Sequence, residues 1–549
     1  MTTSIQMLNQ GIQFLQQDDL PRAEALFMAI LDSNAHDPEC LHILGVLRLR
    51  QQRLEEALRL LEQAVALDVG NSLFIGNLVS LLITLERYQE AQGFCDRILA
   101  ADAAYSPVYH HLATLAFCQG DMERAEVLAL EAIGKGSSGP QTRFLLAQIF
   151  HQQGKWQQAA EAYQHCLSDA DNGLQIKLNL ADVYARSGNL GAAFECYHVI
   201  LADFPECADA CYGLAVVHQK QGDFDQAIDY YRQAQRFKPD SADISNGIGS
   251  LYQSRGELQK ALGFFYLALK KDTRHQAALF NQALSLRGLG HLVDAVSSLT
   301  TLLDINPLHI QALLCLGLCQ QELGDVPAAR GHYARVLASE PDNAFALHMS
   351  DALDGLSPER APSQFVSTLF DGYADSYERH LLGTLEFQTP ALIAQLLRDA
   401  AGHRLPFAEA LDLGCGTGLM AQALGPMVAV IDGVDLSPRM LEQAARKVRY
   451  RQLNCLDIET CCTRQDLLYD CCLASDVLIY TGDLTKVFAG VNAVLKPGGL
   501  FVFSTESDRN GDQYRLCESG RYAHANAYIQ RLSQMHGFSL EASSEVSLR

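Results

Sequence analysis

Along the first two thirds of the chain, apolar and small residues recur three to four positions apart, the spacing of one helix face, between short polar breaks. A longer period is superimposed on the short one. Ala23, Ala57, Ala91, Ala125, Ala159, Ala193, Ala227, Ala261, Ala295 and Ala329 stand 34 residues apart with no interval missed. Twelve residues before these alanines stand Gly11, Gly45, Ala113, Ala147, Ala181, Ala215, Gly249, Ala283 and Gly317, with Val79 the exception. Two small positions let a pair of helices approach closely. A larger side chain four residues after the alanine, such as Phe27, Tyr163, Tyr197, Tyr231, Phe265 or Tyr333, fills the layer between them. Ala129 and Cys95 are weak members of that set. Pro205, Pro239, Pro307 and Pro341 recur where the second helix of a unit must end, because proline lacks an N–H and fixes φ. The pattern predicts ten helical hairpins over residues 4–343, each unable to bury its apolar face alone and therefore stacked on its neighbours.

The G-x-x-Y of Gly249 to Tyr252, the A-x-x-x-F of Ala23 to Phe27 and the closing prolines resemble the tetratricopeptide repeat (TPR) family. The resemblance implies an α-solenoid, a TPR superhelix whose concave groove holds a protein or peptide partner. Asn9, Asn77, Asn179 and Asn281 share one position on the first helix, which looks inward in that family. They read either as a ladder for an extended peptide backbone or as polar residues bonded within the repeats. Trp156, the only tryptophan, takes the place of Leu20, Leu54, Tyr88, Phe224 and Leu258 in other repeats, and reads as hinge packing.

After Pro341 the repeat fades through a last helix-like segment, and SPERAP reads as a linker, so 344–364 is expected to be a terminal helix and linker. Over residues 365–549, short β-branched runs alternate with helical stretches, which predicts a doubly wound α/β domain. In EALDLGCGTGLMAQAL an apolar run ends at Asp412-Leu413, and Gly414, Gly416 and Gly418 open a helix. Such glycines let backbone lie against a ligand at the strand's carboxyl end. A second strand ends at Asp435, 21 residues after Gly414, where a carboxylate can take both hydroxyls of a ribose. The loop is D-x-G-x-G-x-G and not G-x-G-x-x-G, and Asp412 would repel a pyrophosphate but suit an ammonium and a sulfonium.

This constellation resembles the class I S-adenosylmethionine (SAM) dependent methyltransferases, a Rossmann-like fold, and together with the repeats it is similar to bacterial TPR-containing methyltransferases. The resemblance implies SAM as cofactor, with Asp412, Gly414, Cys415, Gly416 and Gly418 under its methionine part and Asp435 with Leu436 at the ribose. It implies Asp457 and Ile458 at the adenine, Ser475 in the loop after the fourth strand, and Tyr373 and Tyr377 on a lid helix. Candidate bases are His524, Asp476 and Glu506, with His524 first. The segment FSLEASSEVSLR reads as a sixth strand and leaves no residues for a seventh, so the sheet is expected to lack its last strand. The acceptor is expected to be a small metabolite, an acid or phenol, or a protein side chain delivered by the groove. A scaffold that only binds SAM, or whose methyltransferase domain has lost activity, is the competing reading.

Composition narrows this further. At 549 residues the chain exceeds one core, and 48% hydrophobic with 19% charged residues is globular composition. A net charge of −22 with no basic run disfavours nucleic acid. The absence of a signal pattern or an 18-residue apolar run points to a cytoplasmic protein that does not enter a membrane. The sixteen cysteines show no zinc spacing, so reduced thiols and no metal are expected. Cys207/Cys211 and Cys315/Cys319 lie at i, i+4 and read as packing; the doublets Cys461-Cys462 and Cys471-Cys472 have no reading beyond it.

Overall fold

The computed structural model describes residues 2–101, 105–137, 139–167, 173–373, 388–447, 450–464, 468–509 and 511–546. The chain divides into two compact units, Met1–Pro239 and Asp240–Arg549.

In the first unit the described residues form seven helical hairpins, from Thr2–Gln16 to Phe224–Phe237. Many of the helices begin at a capping side chain: Asp37, Asp121 and Asp223 each accept a hydrogen bond from the amide three residues on. The periodic alanines and their partners are sealed from solvent, as at Ala57 with Leu61, Ala159 with Tyr163 and Ala227 with Tyr231. Trp156 stands edge-on to His151, with ring centroids 5.9 Å apart. The asparagine side chains at 77, 179 and 281 bond across to the preceding hairpin. Asn77 Nδ2 lies 2.7 Å from His42 Nε2, and Asn179 donates to the Tyr163 hydroxyl at 3.4 Å. In the second unit Asn281 likewise donates to Asn246 at 3.1 Å.

The second unit holds three further hairpins, from Ala242–Ser254 to Val326–Ser339, then the helix Ala344–Leu353 and the α/β domain. The last three hairpins, the helix Ala344–Leu353 and the α/β domain thus lie in one compact unit. SPERAP is not a free linker. Its backbone pairs with the α/β domain, Ala361 N–H donating to Tyr480 O at 3.0 Å and the amides of Gly482 and Asp483 to Glu359 O at 2.8 Å. Ala361, Phe365 and Val366 are buried with Ala352, Leu516 and Tyr522 in one apolar cluster.

The main sheet has the order β3-β2-β1-β4-β5, all parallel, from β1 (Phe407–Leu413), β2 (Val428–Asp435), β3 (Gln452–Cys455), β4 (Tyr469–Ala474) and β5 (Leu495–Phe503). Helices Thr389–Ala401 and Leu419–Leu424 cover one face; Ile458–Arg464, Thr485–Val494 and Asn526–Met535 cover the other. The cysteine doublet in β4 follows from this layering. Cys471 packs in one layer and Cys472 in the other, both with no exposed surface, and Cys461 and Cys462 join the second. Strand order reverses between β1 and β4, the crevice where such sheets bind ligands.

A second sheet follows, β6 (Glu506–Ser507), β7 (Tyr514–Leu516) and β8 (Tyr522–His524), in the order β6-β8-β7. The sixth strand expected in FSLEASSEVSLR does not form among its described residues. Phe538 turns onto Phe488 and Phe501, at 5.9 and 6.2 Å, and residues 539–546 are exposed, since serines and glutamates there offer no apolar face to pair.

Candidate functional site

β1 delivers the chain to Gly414 and Gly416, both at positive φ, 67° and 51°. At Gly414 a Cβ would fall 2.4 Å from Val477 Cγ2, whereas at Gly416 it would meet nothing within 4 Å. One glycine closes the loop onto the β4 side; the other leaves its backbone open to the crevice. The loop is then tied to β2. Cys415 N–H donates to Val434 O at 2.9 Å, and the Asp435 carboxylate accepts from Gly416 N–H and Ser437 N–H, both at 2.9 Å.

These elements wall a cleft with about 800 Å³ of empty space, its open mouth included. Of the residues singled out in the sequence, Gly414, Gly416, Asp435 and Leu436 line it, and so do Asp457, Ile458, Ser475 and Asp476. Burial pushes the Asp435 pKa up, against the amide hydrogen bonds of Ser437, Gly416 and Leu436 that pull it down. Burial also raises Asp457, but hydrogen bonds from Thr460, at 2.9 Å to its amide and 2.7 Å to its hydroxyl, and the charge of Arg360 leave it below the ordinary value. Asp457 thus caps the helix Ile458–Arg464 and faces the cleft as well. Ser475 Oγ is buried in the lining with no partner among the described residues. Asp476 sits at φ 56°, held by its amide donating to Ser504 Oγ at 2.8 Å.

Asp412, Cys415 and Gly418 do not line the cleft. Asp412 is fully buried; Tyr450 donates to its Oδ2 at 2.9 Å, and Oδ1 has no partner among the described residues. Burial, with the nearby charge of Asp435, pushes its pKa up to about 7 in spite of the Tyr450 bond.

Two of the candidate bases are displaced. His524 is buried in β8, where Nε2 bonds the carbonyls of Thr481 and Gly482 at 2.9 and 3.1 Å. Its proton is committed to the main chain, and the ring stands behind the cleft wall. Glu506 accepts from Arg521 at 3.2 Å and is also outside the lining. Asp476 alone of the three faces the cleft. Tyr377 lies outside the described residues, as does the side chain of Tyr373.

A methyltransferase-domain family matches residues 411–503, from within β1 to the end of β5. Tetratricopeptide-repeat families match residues 8–72, 178–242, 214–275 and 280–344, and residues 48–116. Methyltransferase-like protein 27 of Homo sapiens is 31% identical over 206 residues, 36% of this chain and 72% of that protein. The chain belongs to the TPR-containing class I methyltransferases. Ubiquinone biosynthesis O-methyltransferase of Coxiella burnetii is 34% identical over 99 residues, 17% of this chain, and the match spans only 42% of that enzyme's length. The crystal structure of YrrB, described as a TPR protein with an unusual peptide-binding site, aligns at a TM-score of 0.27 and 22% identity, over 35% of this chain and 98% of that one.

The cleft is also lined by residues that the sequence did not single out: Arg360, Val366, Phe370, Glu459, Tyr480 and Thr481. For the first of these a signal existed. A residue before proline favours extended backbone, and Ala361 stands before Pro362, so SPERAP was able to run extended against a neighbouring segment. The charged lining residues are Asp435, Asp457, Glu459 and Asp476 against Arg360, which lies 3.5 Å from Glu459. An acidic cleft attracts a cation.

Proposed function

We propose that the protein binds SAM in this cleft and transfers a methyl group to an oxygen of a small-molecule acceptor of the phenol class. The observation that carries the reading is the Asp435 carboxylate at the tip of β2, lining a cleft whose loop backbone is bare at Gly416. Asp435 would hold the ribose hydroxyls, Asp457 and Ile458 the adenine, and Gly414 and Gly416 the methionine part. The buried Ser475 Oγ, without a partner among the described residues, and the acidic lining fit a ligand with hydrogen-bonding groups and net positive charge. Bound there, SAM supplies an electrophilic methyl carbon on a sulfonium. Val366, Phe370 and Tyr480 exclude water from the reacting groups, and Asp476 takes the proton that an acceptor hydroxyl loses. The oxygen acceptor is supported by the O-methyltransferase among the relatives. The repeats are read as the docking surface for a protein or peptide partner.

Calorimetric titration of SAM tests this. The wild type is expected to give a saturable heat and Asp435→Ala a Kd weakened by about 10- to 100-fold, the range for removing a charged hydrogen-bonding group. No heat from the wild type would end the reading. With methyl-labelled SAM and a cell extract, label in the small-molecule fraction supports the proposed acceptor, and label confined to protein replaces it with a side chain.

A further inference from the structure

The last repeat reaches the cleft through a short relay. Tyr333, the signature aromatic of that repeat, donates its hydroxyl to Gln321 Oε1 at 3.1 Å, which turns the Gln321 amide so that Nε2 donates to the carbonyl of Glu518. One helix further on, His348 is buried, with Nε2 2.8 Å from the carbonyl of Gly520 and its ring 4.4 Å from that of Phe365. Gly520 is pressed so closely that a Cβ would lie 2.9 Å from Met349 Sδ. Glu518 and Gly520 belong to the turn between β7 and β8. That turn is therefore fastened at two carbonyls to the repeats and the helix that ends them.

The other end of the same hairpin holds the cleft wall. The rings of Tyr514 and Tyr522 cover Gly482, where a Cβ would come within 2.6 and 2.7 Å of them. His524, two residues after Tyr522, donates Nε2–H to the carbonyls of Thr481 and Gly482. Residues 359–361 hold the amides of Gly482 and Asp483 and the carbonyl of Tyr480 from the opposite side. Tyr480 and Thr481 line the cleft, as do Arg360 and Ala361. Wall, hairpin and last repeat are one hydrogen-bonded and packed chain.

We propose that Gln321 and His348 are positioning residues of the methyl-transfer cleft, setting the Tyr480–Gly482 wall through the β7–β8 hairpin. The last repeat is then part of the cleft's architecture. By reciprocity, a ligand that orders the wall stiffens the last repeat, and a partner seated on Gln321 alters the cleft. The cofactor arm of this inference rests on the reading of the cleft as a SAM site; the structural arm does not.

The test is hydrogen–deuterium exchange on the unliganded full chain, followed by SAM titration. Gln321→Leu and His348→Phe remove the donors and keep comparable bulk. Each is expected to speed exchange in the segment 480–483 at least several-fold while β1 stays protected, and to weaken SAM binding by about three- to tenfold. His348→Gln, whose amide can present N–H at the position of Nε2, is expected to restore both. Unchanged exchange at 480–483 in the folded variants overturns the proposal, and so does a rise spread evenly over the main sheet, the mark of global destabilisation. Should His348→Phe not fold, Gln321→Leu, at a half-buried position, decides alone. A wild type that binds no SAM removes the cofactor reading and leaves the exchange result standing.

Discussion

In the repeats a glycine makes room. Gly11, Gly45 and Gly317 lie in helices, and a Cβ there would come within 2.5 Å of Phe27, 2.9 Å of Leu61 and 2.5 Å of Tyr333. In the loop after β1 a glycine makes a bend: Gly416 has free space around it and is required by its φ of 51°. Gly414 is constrained both ways. The difference separates two kinds of error. Crowding in a hairpin is relaxed by a ring that tilts, and it is felt by the adjoining hairpins. A changed bend re-aims the backbone amides that Asp435 holds, and no neighbouring element repeats that function.

Gly414→Val should break the comparison most sharply. The branched side chain meets Val477 and cannot adopt φ 67° without strain, so SAM affinity is expected to fall by ~100-fold or more, measured calorimetrically beside a thermal melt. A smaller effect is expected from Asp412→Asn, and it depends on pH. The folded pKa of Asp412 stands at about 7, above the model-compound 3.8, so the neutral form's contribution to stability is complete below about pH 4 and is lost as pH rises through 7. At ~1.4 kcal/mol per pKa unit, the buried charge at pH 8.5 costs up to about 4 kcal/mol. The variant should therefore melt higher than the wild type at pH 8.5, and near the wild type at pH 4. Its SAM affinity should drop by up to about tenfold at pH 8.5, where a negative charge is removed, and little at pH 5.5. The smallest effect on the cleft belongs to Gly45→Leu. Overpacking against Leu61 should cost ~1–3 kcal/mol within the first unit and leave SAM affinity within about twofold. A loss as large as that of Gly414→Val would erase the distinction.

The ten repeats were legible because their signal is redundant: each alanine repeats a geometric requirement, and a weak member such as Ala129 is outvoted. The loop was legible because glycines at positive φ and an acid 21 residues on have few alternative explanations. Two kinds of feature were not. SPERAP read as a linker because prolines mark both linkers and extended segments that pack, and only the bridge between Arg360 and Thr481 separates them. His524 read as a base because its chemistry is ambiguous until its neighbours are known, and two carbonyl oxygens make it a clamp. The sheet of β6, β7 and β8 was missed for a related reason. Its strands are two or three residues long, too short for alternation to register.

Trp156 has a practical consequence. It is the sole indole in the chain, and it stands against His151 in the first compact unit. Its fluorescence under selective excitation therefore reports denaturation of Met1–Pro239, while far-ultraviolet circular dichroism averages helices from both units. A gap between the two midpoints in urea measures how independently the units melt, and coincident midpoints mean that they unfold as one.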